Sequence, residues 1–124
     1  MDKKKILLIE DEPEIVRVIK YNFERYYLIH NVSKKEEALD ILAQHKYDLI
    51  ILDMKLPLLE EGVATFHQIR KDYSKIPILI LSIAADEPAV RDLDADALMP
   101  KPFEFKNLHA KIEELLNYTT NCTN

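Results

Sequence analysis

Five side chains spread along the 124-residue chain could act together if the fold gathered them: Glu10, Asp11, Asp53, Ser82 and Lys101. Each stands at or just past the end of a short apolar run. Ile6-Leu7-Leu8-Ile9 leads into Glu10-Asp11, Leu49-Ile50-Ile51-Leu52 into Asp53, Ile76-Pro77-Ile78-Leu79-Ile80-Leu81 into Ser82, and Ala97-Leu98-Met99 toward Lys101. Three carboxylates brought to one place repel: at an effective dielectric of ~20, two charges ~4 Å apart cost about 4 kcal/mol. Such a cluster must take up a proton or bind a cation, and all-oxygen ligands with one or two carboxylates suit Mg²⁺. Lys101 adds a fixed positive charge and Ser82 a neutral donor. Together these groups suit a phosphoryl group carried on Asp53, its oxygens neutralised by metal, ammonium and hydroxyl. Taken singly, Asp53 only ends a strand and Ser82 reads equally well as a hydroxyl capping a turn.

The elements that must position them follow from the hydrophobic pattern. Four aliphatics in succession between Asp48 and Asp53 read as a strand buried on both faces, and Pro57 then turns the chain out of sheet or helix. Pro13 suits a first helical position; Ile15, Val18, Ile19, Phe23 and Tyr26 follow at helical spacing. Leu28 to Val32 is a second strand. Ser33-Lys34-Lys35-Glu36 reads as a capping box ahead of a helix with Ala38, Leu39, Leu42 and Ala43 inward. Glu60-Glu61 open a third helix with Val63, Phe66 and Ile69 as its apolar stripe and Arg70-Lys71 at its end. The stretch from Ala84 to Asp94 is weakly helical, and a last helix from Phe103 to about Asn117 buries Leu108, Ile112, Leu115 and Leu116. Five short strands alternating with five helices predict a parallel sheet covered on both faces, whose strand ends share one edge.

Composition narrows the classes. The length suits one domain, residues 1–118, with 119–124 as a tail or truncated linker. A net charge of −5 argues against general nucleic-acid binding, and no apolar run approaches the ~20 residues needed to span a bilayer. The lone Cys122 and the absence of a secretory pattern read as cytoplasmic. His30, His45, His67 and His109 show no metal spacing, and Asp86, Glu87, Asp92, Asp94 and Asp96 read as a solvated face.

With Ile9-Glu10-Asp11-Glu12-Pro13, Asp53-Met54-Lys55-Leu56-Pro57, Ser82 and Lys101-Pro102-Phe103 in this order and spacing, the chain resembles the receiver domain of two-component response regulators over about residues 4 to 117. The resemblance implies a flavodoxin-like (βα)₅ doubly wound sheet in strand order 2-1-3-4-5. It implies that Asp53 accepts a phosphoryl group from a histidine kinase or a histidine phosphotransfer protein. Glu10, Asp11, Asp53 and the backbone carbonyl of Lys55 would hold Mg²⁺, and Ser82 and Lys101 would contact the phosphoryl oxygens. It further implies a cis bond before Pro102, a switch residue at position 98, and an output face from the fourth to the fifth helix that can pair two copies or meet a partner or fused effector. Such a domain is a regulatory phosphoacceptor rather than an enzyme with a diffusible substrate.

The chain departs from the family pattern in the same region. Leu98 stands where an aromatic is usual, Asp94 where a turn glycine is usual, and Ile83 where the residue after the hydroxyl is small; the segment from Ser82 to Lys101 is short, and the loop from Asp53 to Gly62 slightly long. A second hypothesis is therefore a receiver-like interaction module whose binding does not depend on phosphorylation. A third, an aspartate-nucleophile phosphatase of the haloacid-dehalogenase type, wants an Asp where Lys55 stands. Dinucleotide binding lacks its Gly-rich turn.

Overall fold

Strands that are aliphatic at every position need cover on both faces, and the fold supplies it. The computed structural model describes residues 3–55 and 59–122, with side chains through Asn117. Its strands β1 (Lys4–Ile9), β2 (Tyr27–Val32), β3 (Leu49–Met54), β4 (Ile78–Ser82) and β5 (Ala97–Pro100) form one parallel sheet in the order β2-β1-β3-β4-β5. Between and after them run α1 (Pro13–Phe23), α2 (Lys35–Gln44), α3 (Leu59–Asp72), α4 (Pro88–Arg91) and α5 (Phe105–Cys122). The expected fold and strand order are those observed.

The two-residue period of a strand divides the core. Ile6, Leu8, Leu49, Ile51, Leu79 and Leu81 face α1 and α5, meeting Ile19, Phe23, Leu108 and Ile112. Leu7, Ile9, Ile50, Leu52, Ile78 and Ile80 face the other way, onto Ala38, Leu42, Phe66, Ile69 and Val90 of α2, α3 and α4. Each such fully buried aliphatic side chain stabilises by about 1.5–3 kcal/mol relative to exposure. Gly62 lies in the first turns of α3, where an added Cβ would sit 2.8 Å from Met54 Cγ. The lone glycine therefore lets α3 close onto the residue that follows Asp53.

Several details differ from the sequence expectation. Val18 and Tyr26 are exposed, and the inner stripe of α1 is Ile15, Val16, Ile19 and Phe23. The helix ends at Phe23, so Tyr26 precedes β2, and Tyr27 is the buried first residue of that strand, one residue earlier than expected. The cap of α2 uses Glu37, not Glu36. Glu37 Oε1 accepts the Ser33 and Lys34 amides and the Ser33 hydroxyl, each at 3.1 Å, because the helix begins one residue later than the motif suggested. The region expected to be weakly helical holds the single turn α4. The last helix starts after Glu104, whose carbonyl accepts the Asn107 and Leu108 amides, and continues to Cys122, past the expected Asn117. The turn assigned to Pro57 lies outside the described residues. Among the described residues no helix is long and apolar enough to cross a membrane.

Candidate functional site

Parallel register carries the strand ends to one edge. Ile9 pairs with Leu52, Asp53 with Leu81, Met54 with Ser82, and Ser82 with Pro100. Glu10 leaves β1 with its amide donating to Val32 O at 2.9 Å. Asn31 Nδ2 secures that corner by donating to the carbonyls of Leu8, Glu10 and Val32. Lys101 follows β5 and donates its amide to Ser82 O at 3.0 Å, and its peptide bond to Pro102 is cis.

The result is a buried acidic corner with two ammonium groups. Glu10 and Asp53 are 2% and 8% exposed, whereas charged residues are seldom buried without partners. Lys101 Nζ lies 2.5 Å from Asp53 Oδ1 and 3.4 Å from Glu10 Oε1. The Asp53 contact is a close ion pair through Oδ1, and Asp53 Oδ2 has no hydrogen-bond partner among the described residues. Lys55 reaches back from β3, its ammonium in ion contact with Asp11 and 3.9 Å from both Glu10 Oε2 and Glu12 Oε1. Glu10 Oε2 also accepts the Glu12 amide at 3.2 Å.

Electrostatics follow from this crowding. Burial pushes the Glu10 carboxyl above the ordinary carboxylate range; the Asp53 charge adds to this and Lys101 opposes it. Burial pushes the Lys101 ammonium down, but the adjoining Asp53 and Glu10 carboxylates outweigh it and hold its pKa above the ordinary value. The corner opens on a cleft of about 520 Å³ lined by Glu10, Asp11, Asp53, Lys55, Lys35 and Thr65 among others.

The structure thus brings together Glu10, Asp11, Asp53, Lys55 and Lys101. Ser82 is fully buried nearby, and its Oγ accepts the Ala84 amide at 2.9 Å, which leaves the hydroxyl proton for a second partner. Leu98 is elsewhere: it pairs with Ile80 and packs half-buried against the cluster that contains Val90. Ile83, which stands where a small residue is usual, is 61% exposed and does not line the cleft.

The donor set fits a hard divalent cation. Two buried carboxylates, one of them with an oxygen lacking a hydrogen bond, stand beside a third that faces solvent. Among the described residues no three carboxylate, imidazole or thiol side chains form a ready-made cage. A partly hydrated Mg²⁺ with a backbone carbonyl needs none.

Sequence reading missed three contributors. Asn31 and the Lys55 ammonium carried no signal beyond their proximity to the motifs. Arg70 and Asp96 form the third. Arg70 Nη2 donates to Asp96 Oδ2 at 2.7 Å and to Asp94 O at 3.2 Å, and Nη1 to Ile76 O at 3.2 Å. Asp96 Oδ2 also accepts the Ile78 amide at 2.8 Å. Asp96, read as part of a solvated face, therefore anchors the opposite edge of the sheet.

A doubly wound sheet with an acidic, lysine-bearing corner at the carboxyl ends of its strands defines a class, and comparison with known proteins names it. Residues 6–113 match the model of the response regulator receiver domain, and the chain belongs to that family. It is 39% identical over 118 residues to the alkaline phosphatase synthesis transcriptional regulatory protein PhoP of Bacillus subtilis (strain 168). That match covers 91% of this chain and 48% of PhoP, so the chain spans about half the length of this curated relative. Among solved structures it is similar to the response regulator TrrA of Thermotoga maritima in complex with Mg²⁺ and BeF: TM-score 0.77, 32% identity, 91% of this chain and 99% of that one. It is also similar to the receiver domain of the sensor histidine kinase PA1611 of Pseudomonas aeruginosa PAO1. There the TM-score is 0.83 at 25% identity, covering 93% of this chain and 98% of that one, and a magnesium ion is coordinated in its active-site cleft.

Proposed function

We propose that this receiver domain is a phosphorylation-controlled switch with Asp53 as phosphoacceptor. The observation that carries the reading is Asp53 itself, buried at the end of β3 with a lysine ammonium against one carboxylate oxygen and the other left without a hydrogen bond. The phosphoryl donor is a histidine kinase or a histidine phosphotransfer protein. An Asp53 oxygen forms the new O–P bond as the P–N bond to the donor imidazole breaks, and the departing nitrogen keeps the electron pair. Lys101 holds the carboxylate in place and then faces a phosphoryl oxygen, while Ser82 offers its free hydroxyl proton to another. Glu10, Asp11, Asp53 and the Lys55 carbonyl hold Mg²⁺, which when bound offsets the charge on the phosphoryl oxygens. The magnesium reported in the TrrA and PA1611 receiver structures supports this assignment.

In this reading residues 1–118 are the receiver and 119–124 a tail or linker, the domain works in the cytoplasm, and it turns over no diffusible substrate. Its output face runs from α4 to α5, with Leu98 relaying the change, and meets a second copy, a partner or a fused effector. The test is metal-dependent labelling with acetyl phosphate, resolved by intact mass, on wild type and Asp53→Asn. A phosphoryl mass that needs Mg²⁺ and disappears in the variant is expected; label retained by Asp53→Asn refutes the assignment.

A second reading has its own support. With α4 reduced to one turn and leucine in place of a movable ring at position 98, the output face is a short packed unit around Val90. A receiver-like module that binds its partner regardless of phosphorylation would show equal partner affinity in wild type and Asp53→Asn.

A further inference from the structure

Lys55 uses its two ends in opposite ways. Its backbone belongs to the segment that leaves β3, while its side chain returns to the carboxylates beyond β1, touching Asp11 and lying 3.9 Å from Glu10 Oε2. Lys101 attends to the far side of the same corner, through Glu10 Oε1 and Asp53 Oδ1. The two oxygens of Glu10 thus face two different ammonium groups, and the acidic corner is balanced by cations from within the chain.

We propose that the Lys55 ammonium is an internal counter-ion that competes with Mg²⁺ and must swing into the cleft before the metal enters. This inference rests on the metal reading given above. Two observations favour Lys55 over Lys101 as the group that yields. The Lys55 side chain is 30% exposed and its partner Asp11 48%, whereas the Lys101 side chain is 12% exposed and the Asp53 side chain 1%. Lys55 also lines the cleft of about 520 Å³, so its ammonium has a solvated place to go. Charge gives the reason that one ammonium must yield. Three carboxylates with two ammonium groups leave one negative charge over, and exchanging one ammonium for a dication leaves none. Adding a dication while both ammonium groups stay would place like charges within a few ångströms.

The exchange couples the two ends of one residue: the carbonyl assigned to the metal and the ammonium that excludes it cannot serve together. It makes Lys55 a residue that sets the metal affinity without being a ligand through its side chain. A partly exposed ion pair is worth at most about 1 kcal/mol, so removing the Lys55 charge tightens Mg²⁺ binding by about two- to fivefold.

The test needs no phosphoryl donor. Mg²⁺ is titrated calorimetrically into wild type, Lys55→Met, which keeps the stem, and Lys55→Arg, which keeps the charge. About two- to fivefold tighter binding to Lys55→Met, with Lys55→Arg close to wild type, is expected. Equal or weaker binding to Lys55→Met overturns the proposal. On unmodified protein, acylation of Lys55 by an amine-reactive ester, read by peptide mass, should quicken severalfold when Mg²⁺ is added. An unchanged rate, in protein shown by calorimetry to bind the metal, also overturns it. Absence of Mg²⁺ binding by wild type and variants alike overturns the metal reading itself, and the inference with it.

Discussion

Lys101→Met removes the single ammonium shared by the two buried carboxylates, and its consequence can be worked from the distances. At an effective dielectric of ~20, contacts of 2.5 Å with Asp53 and 3.4 Å with Glu10 amount to roughly 7 and 5 kcal/mol of gross attraction. Most of that is offset by the cost of taking the ammonium and both carboxylates out of water. What remains is the penalty of leaving buried charge without its partner, about 3 kcal/mol, at the low end for such pairs because the Lys101 side chain keeps some exposure. Methionine fills the same volume, so the loss is electrostatic rather than a cavity. The sign with pH is fixed by Glu10, whose folded pKa lies above the ordinary carboxylate value. A carboxyl raised in the folded state holds its proton more tightly there than in the unfolded chain. Stability from this group is therefore present below the ordinary value and lost as pH rises through the raised one. Without Lys101 that pKa climbs further, so the deficit is largest near pH 8 and shrinks toward pH 5. Urea unfolding of metal-free wild type and Lys101→Met at both pH values measures it, and Glu10→Gln in the Lys101→Met background should restore part of the loss. A deficit below about 1 kcal/mol, or one that does not shrink as the pH falls, would refute the reasoning.

Two further substitutions probe the frame around the site. Gly62→Ala gains about 1 kcal/mol of helix propensity but drives a methyl to 2.8 Å from Met54 Cγ, so a net loss of about 1–2 kcal/mol is expected by chemical denaturation, and a stabilised variant would show that α3 can lift off β3 freely. Arg70→Met deletes the hydrogen bonds to Ile76, Asp94 and Asp96 and takes away the guanidinium that lies over the Phe66 ring; a loss of about 2 kcal/mol is expected, with amide exchange quickened at Ile78, and unchanged exchange there would contradict the anchoring role.

The strands were legible because burial on both faces leaves no room for polar residues: 6–9, 49–52 and 78–81 could hardly be anything else. The candidate site was legible for the same reason, since each of its polar residues interrupts or follows such a run, and parallel topology does the gathering. Helix faces were harder to read. Val18 has the right spacing for the inner stripe of α1 but points outward, because one shift of phase around the helix puts Val16 inside instead. The α2 cap slipped by one residue because Glu36 and Glu37 are chemically the same and only the true start of the helix selects between them. Asp96 and the Lys55 side chain were illegible for another reason: what distinguishes them is a partner distant in sequence, Arg70 and Ile78 for one, Asp11 and Glu10 for the other.

Gly62 is the only glycine in the chain, and among the described residues no backbone position, glycine included, has a positive φ. Apart from the cis bond before Pro102, every described connection between strand and helix is therefore made in conformations open to any L-amino acid. Elsewhere in these connections nothing in the backbone vetoes a change of side chain; only the contacts do. Sequence drift can then run through the loops that rim the acidic corner at little cost to the fold, so long as Glu10, Asp53 and Lys101 keep their places. Mutational robustness of that kind lets a receiver acquire new partners by changing its rim while its chemistry stays as it was.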